Sequence, residues 1–453
     1  MTVYLHSLGC DKNLVDSEVM LGLLYEAGYK SAPDAAHADV IVVNTCGFIQ
    51  EAVEEGIETI LELSAHKEGQ CKALLVTGCM AQRYRKEITA EIPEVDVILG
   101  AKDFPGIVEK VNALMGVECT LDTGHDSEDL VRETAPAVLD GDIYAKRART
   151  MPMHVAYVKI SDGCDNNCAY CTIPSIRGPY HDRAFESILS ECECLVKGGA
   201  KELVLVAQDT ARYGTKLYGR PRLHELLRAI DAIEELGWVR VMYAYPEHIY
   251  PELIDTIGKH DKICKYLDMP IQHSHDDVIS RMGRKSTGAQ LLELINRLRE
   301  KGVAIRTTLI AGFPGETEEE YEHLRRFVAD VCFDHLGVFA YSQEDGTPAA
   351  KMRPQIKALT KKLRRDELMA LQAGIAENNS KVLIGRVLKI MVDGSVGEDG
   401  ESIAYSGRSQ RDAYEVDGAV FFSSPVEWMS GDFVNVRITK ASGYDLYGEL
   451  VRE

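Results

Sequence analysis

Three cysteines crowd into the stretch SDGCDNNCAYC: Cys164, Cys168 and Cys171, spaced Cys-x3-Cys-x2-Cys. A zinc site usually takes four ligands, most often as two separated pairs. A disulfide framework belongs to small secreted chains. Three close thiolates suit an iron–sulfur cluster that keeps one iron open to a ligand from outside the protein. A zinc ion with a remote fourth ligand is the competing reading.

A second set of thiols is dispersed in sequence. Cys10, Cys46 and Cys79 each stand at the end of an expected strand, over 2–9, 38–46 and 72–79. Each lies beside Gly or Asn-Thr turn residues. Strands alternating with helical patterns argue a parallel sheet, whose ligands bind beyond the carboxyl ends of the strands. That topology brings these three cysteines to one edge and makes a second three-thiol site. Three ordinary buried cysteines are the plain alternative. The remaining six (Cys71, Cys119, Cys192, Cys194, Cys264 and Cys332) lie off these loops and read as core or incidental.

The elements that must position these residues form an α/β chain of three parts. Residues 1–115 read as a parallel-sheet α/β domain with helices over 13–28 and 50–67, a further helix in MAQRYRKEITAEI and a fourth strand over 95–100. Residues 116–150 read as a solvated linker, acidic first and then basic in AKRART. Residues 151–375 carry six strand signals, over 154–161, 202–209, 239–245, 265–272, 304–313 and 335–342. The helical patterns between them cover 186–198, 221–236, 288–301 and 317–330, the last opened by Thr317 and Glu320 as a capping box. Such a series predicts a full or partial (β/α) barrel with its site at the carboxyl ends of the strands. Gln208 and Asp209 end one strand, Gly312 another, and His273 and His275 a third. After a helix near 358–380, residues 376–453 read as a small all-β barrel with five short strands, a natural binding module.

Composition narrows the partners. The 453 residues are 45% hydrophobic and 27% charged, enough for two to four domains. No window resembles a membrane span, and MTVYLHSLGC lacks the basic start and apolar run of a signal peptide, so a soluble cytoplasmic enzyme is expected. With 51 Lys and Arg against 71 Asp and Glu, the net charge is −20. That balance disfavours broad phosphate-backbone binding and favours basic partners. Residues 381–453 carry 8 Lys and Arg against 12 Asp and Glu.

The Cys164–Cys171 stretch resembles the cluster motif of radical S-adenosylmethionine enzymes, including the aromatic Tyr170 before the last cysteine. With SLGCDKNLVDSE, VVNTCGF and VTGCMAQR around Cys10, Cys46 and Cys79, and a tail similar to a TRAM domain, the chain resembles the methylthiotransferases of that class over nearly its whole length. CTIPSIRGPY, AQDTARYGTKLYG, YLDMPIQH, LGVFAYSQEDGTPA and GRSQRDAYEVDG are similar to the branch that modifies an aspartate of the twelfth small-subunit ribosomal protein. Asp11 and Tyr414 stand where that branch commonly has Pro. The tRNA-modifying branch typically reads Gln-Met-Asn where this chain has Asp11-Lys12-Asn13.

The resemblance implies two 4Fe–4S clusters, one on Cys164, Cys168 and Cys171 and an auxiliary one on Cys10, Cys46 and Cys79. It implies that S-adenosylmethionine binds the open iron and is split to a 5′-deoxyadenosyl radical. That radical takes hydrogen from the aspartate β-carbon, which then captures a methylthio group to give 3-methylthioaspartate. Tyr170, Asp209 and Gly312 are the candidate cofactor contacts. The implied partners are the basic ribosomal protein, free or in the ribosome, and an electron-donor protein. The same chemistry on a tRNA adenosine is the alternative, with an exposed Arg408 and Arg411 serving it. A non-catalytic iron–sulfur factor that docks on the ribosome is a third reading.

Overall fold

The computed structural model describes residues 1–117, 143–400 and 402–451. Cys119 and the acidic part of the expected linker, 121–142, lie outside them. The chain divides into two compact units: Met1–Thr150, Asp162–Asn166 and Cys171–Ser187 in the first, and Met151–Ser161, Asn167–Tyr170 and Ile188–Glu453 in the second.

The first unit is built on a parallel five-stranded sheet: β1 (Thr2–Ser7), β2 (Lys30–Ser31), β3 (Val40–Thr45), β4 (Ala73–Gly78) and β5 (Val97–Ile98), in the order β2-β1-β3-β4-β5. Every residue of β3 and β4 is buried, as continuous apolar runs require when both faces of a parallel sheet are covered. Helices Asp11–Glu26 and Gln50–Ser64 follow β1 and β3 directly. Two local expectations shift, and one short strand was not expected. β2 has only two residues, both exposed, and carried no apolar signal. The fourth expected strand shrinks to Val97–Ile98. The helix expected in MAQRYRKEITAEI breaks at Tyr84, whose φ of −122° and ψ of 31° leave the helical region, giving Cys79–Arg83 and Arg85–Glu91.

The basic stretch AKRART is no solvated tether. Arg147 is buried and lies 3.4 Å from the carboxylate of Glu18, a buried residue of the first helix. Ala148 N donates to Glu18 O at 2.9 Å, and Thr150 N donates to Glu18 Oε1 at 2.7 Å. A carboxylate on the inward face of a helix has to find a cation and N–H donors there.

Along the chain, the two-residue strands β7 (Ser161–Asp162) and β8 (His181–Asp182) come before and after the Cys164–Cys171 stretch, and in the second unit β6 (Val155–Lys159) opens the larger sheet. The sheet continues with β9 (Glu202–Val206), β10 (Trp238–Val241), β11 (Ile263–Asp268), β12 (Ala304–Ala311) and β13 (His335–Ala340). All six strands are parallel in the order β13-β12-β11-β10-β9-β6, so the barrel is partial, with β13 and β6 at its two ends. Thr317 and Glu320 form the expected capping box of helix Glu318–Val331, and Thr287 and Gln290 form another on Gly288–Glu300. Helix Phe185–Lys197 buries Cys192 and exposes Cys194.

The tail closes into a true barrel: β14 (Val387–Asp399), β15 (Ser402–Arg408), β16 (Val420–Ser424), β17 (Phe433–Ser442) and β18 (Asp445–Leu450), ordered β14-β15-β16-β18-β17. Its core holds Ile390, Val392, Tyr405, Phe422, Val436 and Ile438. The loop between β15 and β16 plugs the amino-terminal ends of the larger sheet. Arg408 donates to Glu202 at the start of β9 (2.6 Å), and Arg240 of β10 donates to Gln410 O (2.8 Å). Arg411 pairs with Asp334, just before β13, and Tyr266 of β11 donates to Asp417 (2.8 Å). Arg408 is buried and Arg411 half-buried. The exposed pair read from the sequence is therefore corrected: both arginines are engaged inside the unit, because carboxylates from the sheet meet them there.

Candidate functional site

In the first unit, the order β1-β3-β4 carries Cys10, Cys46 and Cys79 off the carboxyl ends of adjacent parallel strands. Cys10 is the residue before helix Asp11–Glu26, and Cys79 is the first residue of helix Cys79–Arg83. The approach is close. Gly9 has φ of +91°, and a Cβ there would lie 2.8 Å from Cys46 Cβ and 3.2 Å from its Sγ, so only glycine fits. Cys79 Sγ lies 3.7 Å from Asn13 Oδ1. Exposure is graded, with Cys79 buried, Cys46 half-buried and Cys10 exposed.

A buried cation serves this cluster. Arg177, the last residue of the short helix Ile173–Arg177, donates to Asn13 Oδ1 at 2.5 Å, Asp16 Oδ2 at 3.0 Å and Asp162 Oδ2 at 2.9 Å. Its guanidinium also acts on the Cys79 and Cys10 thiols. Sequence reasoning missed it, because its partners are scattered from 13 to 162 and no local pattern marks it. Burial pushes the Cys79 thiol up to about 11 and the Cys46 thiol above its ordinary value, with Arg177 pulling both down. As free thiols they stay protonated at neutral pH, so a strongly bound cation is what makes them thiolates. Three thiols at the ends of adjacent strands, with a buried guanidinium acting on two of them, are residues that could hold an iron–sulfur cluster.

The loop thiols each meet a hydrogen-bond donor. Asn166 N donates to Cys164 Sγ and Ile173 N to Cys171 Sγ, both at 3.4 Å in the first unit. Cys168, in the second unit, has the Tyr245 hydroxyl 3.4 Å from its sulfur. Sulfur ligands of iron–sulfur clusters are tuned by such donors.

The strand-end residues of the second unit divide. Asp209, at the end of β9, is buried and spends its carboxylate on protein: Oδ2 lies 2.5 Å from His248 Nδ1, and Oδ1 accepts from Tyr245 N at 3.3 Å. Gln208 Oε1 is buried without a hydrogen-bond partner among the described residues. Gly312 has φ of +75°, and a Cβ there would sit 2.5 Å from Lys361 Cγ, so its bareness admits helix Ala358–Lys381. Its N–H is held by Glu316 at 3.0 Å. Tyr170 packs against Ala169, Val278, Met282, Phe313 and Tyr341. His273 is buried, and its Nδ1 accepts from His275 N at 3.0 Å, while His275 caps helix Asp276–Arg281.

Comparison with known proteins gives a consistent picture. Residues 2–100 match the uncharacterized protein family UPF0004, residues 158–328 the Radical SAM superfamily, and residues 384–451 the TRAM domain. The chain is 47% identical over 451 residues to the ribosomal protein uS12 methylthiotransferase RimO of Lachnoclostridium phytofermentans, covering 99% of each chain. It is 44% identical to the protein of the same name from Geobacter sulfurreducens, covering 98% of this chain and 97% of that one. Among solved structures it resembles the radical S-adenosylmethionine methyltransferase TsrM from Kitasatospora setae, with a TM-score of 0.57 at 14% identity over 77% of this chain and 73% of that one. The cobalamin-dependent radical enzyme OxsB gives a TM-score of 0.51 at 12% identity, over 83% of this chain and 56% of that one. At such identities the likeness is one of fold. Among the described residues, no helix is long and apolar enough to cross a membrane.

Proposed function

Because the chain belongs to the ribosomal protein uS12 methylthiotransferase family, we propose that it adds a methylthio group to the β-carbon of an aspartate in that ribosomal protein, forming 3-methylthioaspartate. The chain is a radical S-adenosylmethionine methylthiotransferase. The observation that carries the reading is the convergence of Cys10, Cys46 and Cys79, a second thiol set that simple cleavage of S-adenosylmethionine does not require.

Two 4Fe–4S clusters are proposed, on Cys164, Cys168 and Cys171 and on Cys10, Cys46 and Cys79. When bound, the first supplies the electron that splits S-adenosylmethionine to a hydrogen-abstracting radical, and the second holds the sulfur to be transferred. The protein's part is placement. Arg177 offsets thiolate charge in the first unit. Tyr170 and Gly312 are proposed to line the cofactor, and Asp209 to act through Tyr245 and His248. Functional boundaries are proposed at 1–115, 151–375 and 376–453, with 116–150 between them. An electron-donor protein is needed, and a cytoplasmic place suits a ribosomal substrate.

A net charge of −20 suits a basic protein substrate. Arg408 and Arg411, which the tRNA reading needed at the surface, are engaged with Glu202 and Asp334. The test is anaerobic incubation of reconstituted enzyme with S-adenosylmethionine and reductant, in parallel with the ribosomal protein and with tRNA. Mass spectrometry should find the methylthio group on an aspartate of the protein. Its appearance on adenosine alone overturns the substrate assignment and leaves the radical chemistry standing.

A further inference from the structure

Tyr245 follows β10 at the carboxyl end of the larger sheet, and the sequence reading gave it no role. Its hydroxyl oxygen lies 3.4 Å from Cys168 Sγ. In a free thiol either atom can donate. A sulfur that ligates iron has lost its proton, so the phenol alone can supply the hydrogen.

The ring is fixed from several sides. Its backbone N donates to Asp209 Oδ1 at 3.3 Å, and His248, itself bound to Asp209, stacks on it with centroids 5.4 Å apart. The Arg284 guanidinium lies 3.9 Å from the ring centroid. Arg284 is buried and anchored by Glu247 at 3.0 Å, and Ser286 donates to that same carboxylate at 2.7 Å. A cation over the ring draws electron density from the phenol and makes its O–H a better donor. Five side chains thus aim one hydroxyl at one sulfur.

We propose that Tyr245 is a positioning residue that donates a hydrogen bond to the Cys168 thiolate and raises the reduction potential of the cluster held there. The inference rests on the reading above that Cys168 is a ligand. A hydrogen bond to a cluster sulfur stabilises the reduced, more negative state, which moves the potential upward. Asp209 and Glu247 then contribute by holding the tyrosine, Asp209 through its backbone and His248, Glu247 through Arg284.

The experiment is a redox titration of the reconstituted holoenzyme followed by electron paramagnetic resonance. It reads the component whose signal changes when S-adenosylmethionine is added. Tyr245→Phe should keep its iron and shift that component to lower potential, by about tenfold in the reduction equilibrium, or about 59 mV for one electron. The other component should not move. An unchanged potential with iron retained overturns the proposal. If Tyr245→Phe loses iron, 3-fluorotyrosine placed at 245 decides: its more acidic phenol should raise the potential, and no rise overturns the proposal. Cys168→Ala separates the two readings. Loss of the responsive component there supports the ligand assignment, whereas its retention overturns that assignment and the tyrosine inference with it.

Discussion

Arg408 of the small barrel donates to Glu202 at the start of β9 across 2.6 Å, and neither side chain reaches water, at 4% and 0% exposure. Glu202 also accepts from Arg240 Nε at 2.7 Å, and Arg408 grips Asp393 at 2.9 and 3.0 Å. The tail is therefore fastened to the sheet by buried charge rather than hung from it.

Removing one member leaves others buried and unpaired. Arg408→Ala should destabilise the second unit by about 3–5 kcal/mol, read as a drop in the urea midpoint. Burial alone would raise the Glu202 carboxyl, but Arg408 and Arg240 outweigh it and hold it below the ordinary glutamate range. A depressed carboxyl gives stability that is complete above about pH 4.3 and lost as the pH falls below it. Arg408→Ala should shrink that acid-side loss as well as lower the midpoint. A variant with an unchanged midpoint would show that the buried network contributes nothing.

The network also shows where sequence reading stops. Alternating strand and helix signals gave both parallel sheets, and turn spacing gave the five tail strands, because each depends on local periodicity. The strand-end places of Cys10, Cys46 and Cys79 were legible because each follows an apolar run. Arg408, Arg177 and Tyr245 were not. Each matters through partners 15 to 206 residues away, and a single sequence holds no sign of such pairings. Gly312 was legible as the end of a strand, whereas its close approach to Lys361 was not.

Arg177 pairs with Asp16 and Asp162 and acts on the Cys79 thiol. Arg177→Met keeps the volume of the side chain and removes its charge and donors. It should lower iron content toward about four atoms per chain, because the converged thiols lose the cation that offsets their charge. Arg177→Lys should retain part of the second cluster, since one ammonium cannot reproduce a fork shared by Asn13, Asp16 and Asp162. Iron and sulfide assays on anaerobically purified protein measure both, and full iron content in Arg177→Met would refute the role.

The two thiol sets should fail differently. Cys79→Ala is expected to lose about half the iron, still cleave S-adenosylmethionine and form no methylthio product. Cys168→Ala is expected to lose about half the iron and both activities. Product analysis by mass spectrometry, with 5′-deoxyadenosine as the cleavage readout, distinguishes them. Methylthio transfer by Cys79→Ala would remove the Cys10, Cys46 and Cys79 set from the chemistry.

His273 carries the last prediction. It is wholly buried between β11 and helix Asp276–Arg281, and burial pushes its imidazole down to about 3. Nδ1 accepts from His275 N, so the proton of the neutral ring sits on Nε2, 3.7 Å from Glu316. Glu320 favours the charged ring, while His275, His323 and Arg281 oppose it. In the unfolded chain a histidine titrates near 6.5. Between those values the unfolded state binds the proton and the folded state does not, so stability is present above about pH 6.5 and falls as the pH drops. From pH 7 to 5.5 the loss should be roughly 1 kcal/mol. His273→Gln keeps an acceptor for His275 N and has nothing to titrate, so its urea midpoint should fall less over the same interval. Equal slopes for the two proteins would place the proton elsewhere.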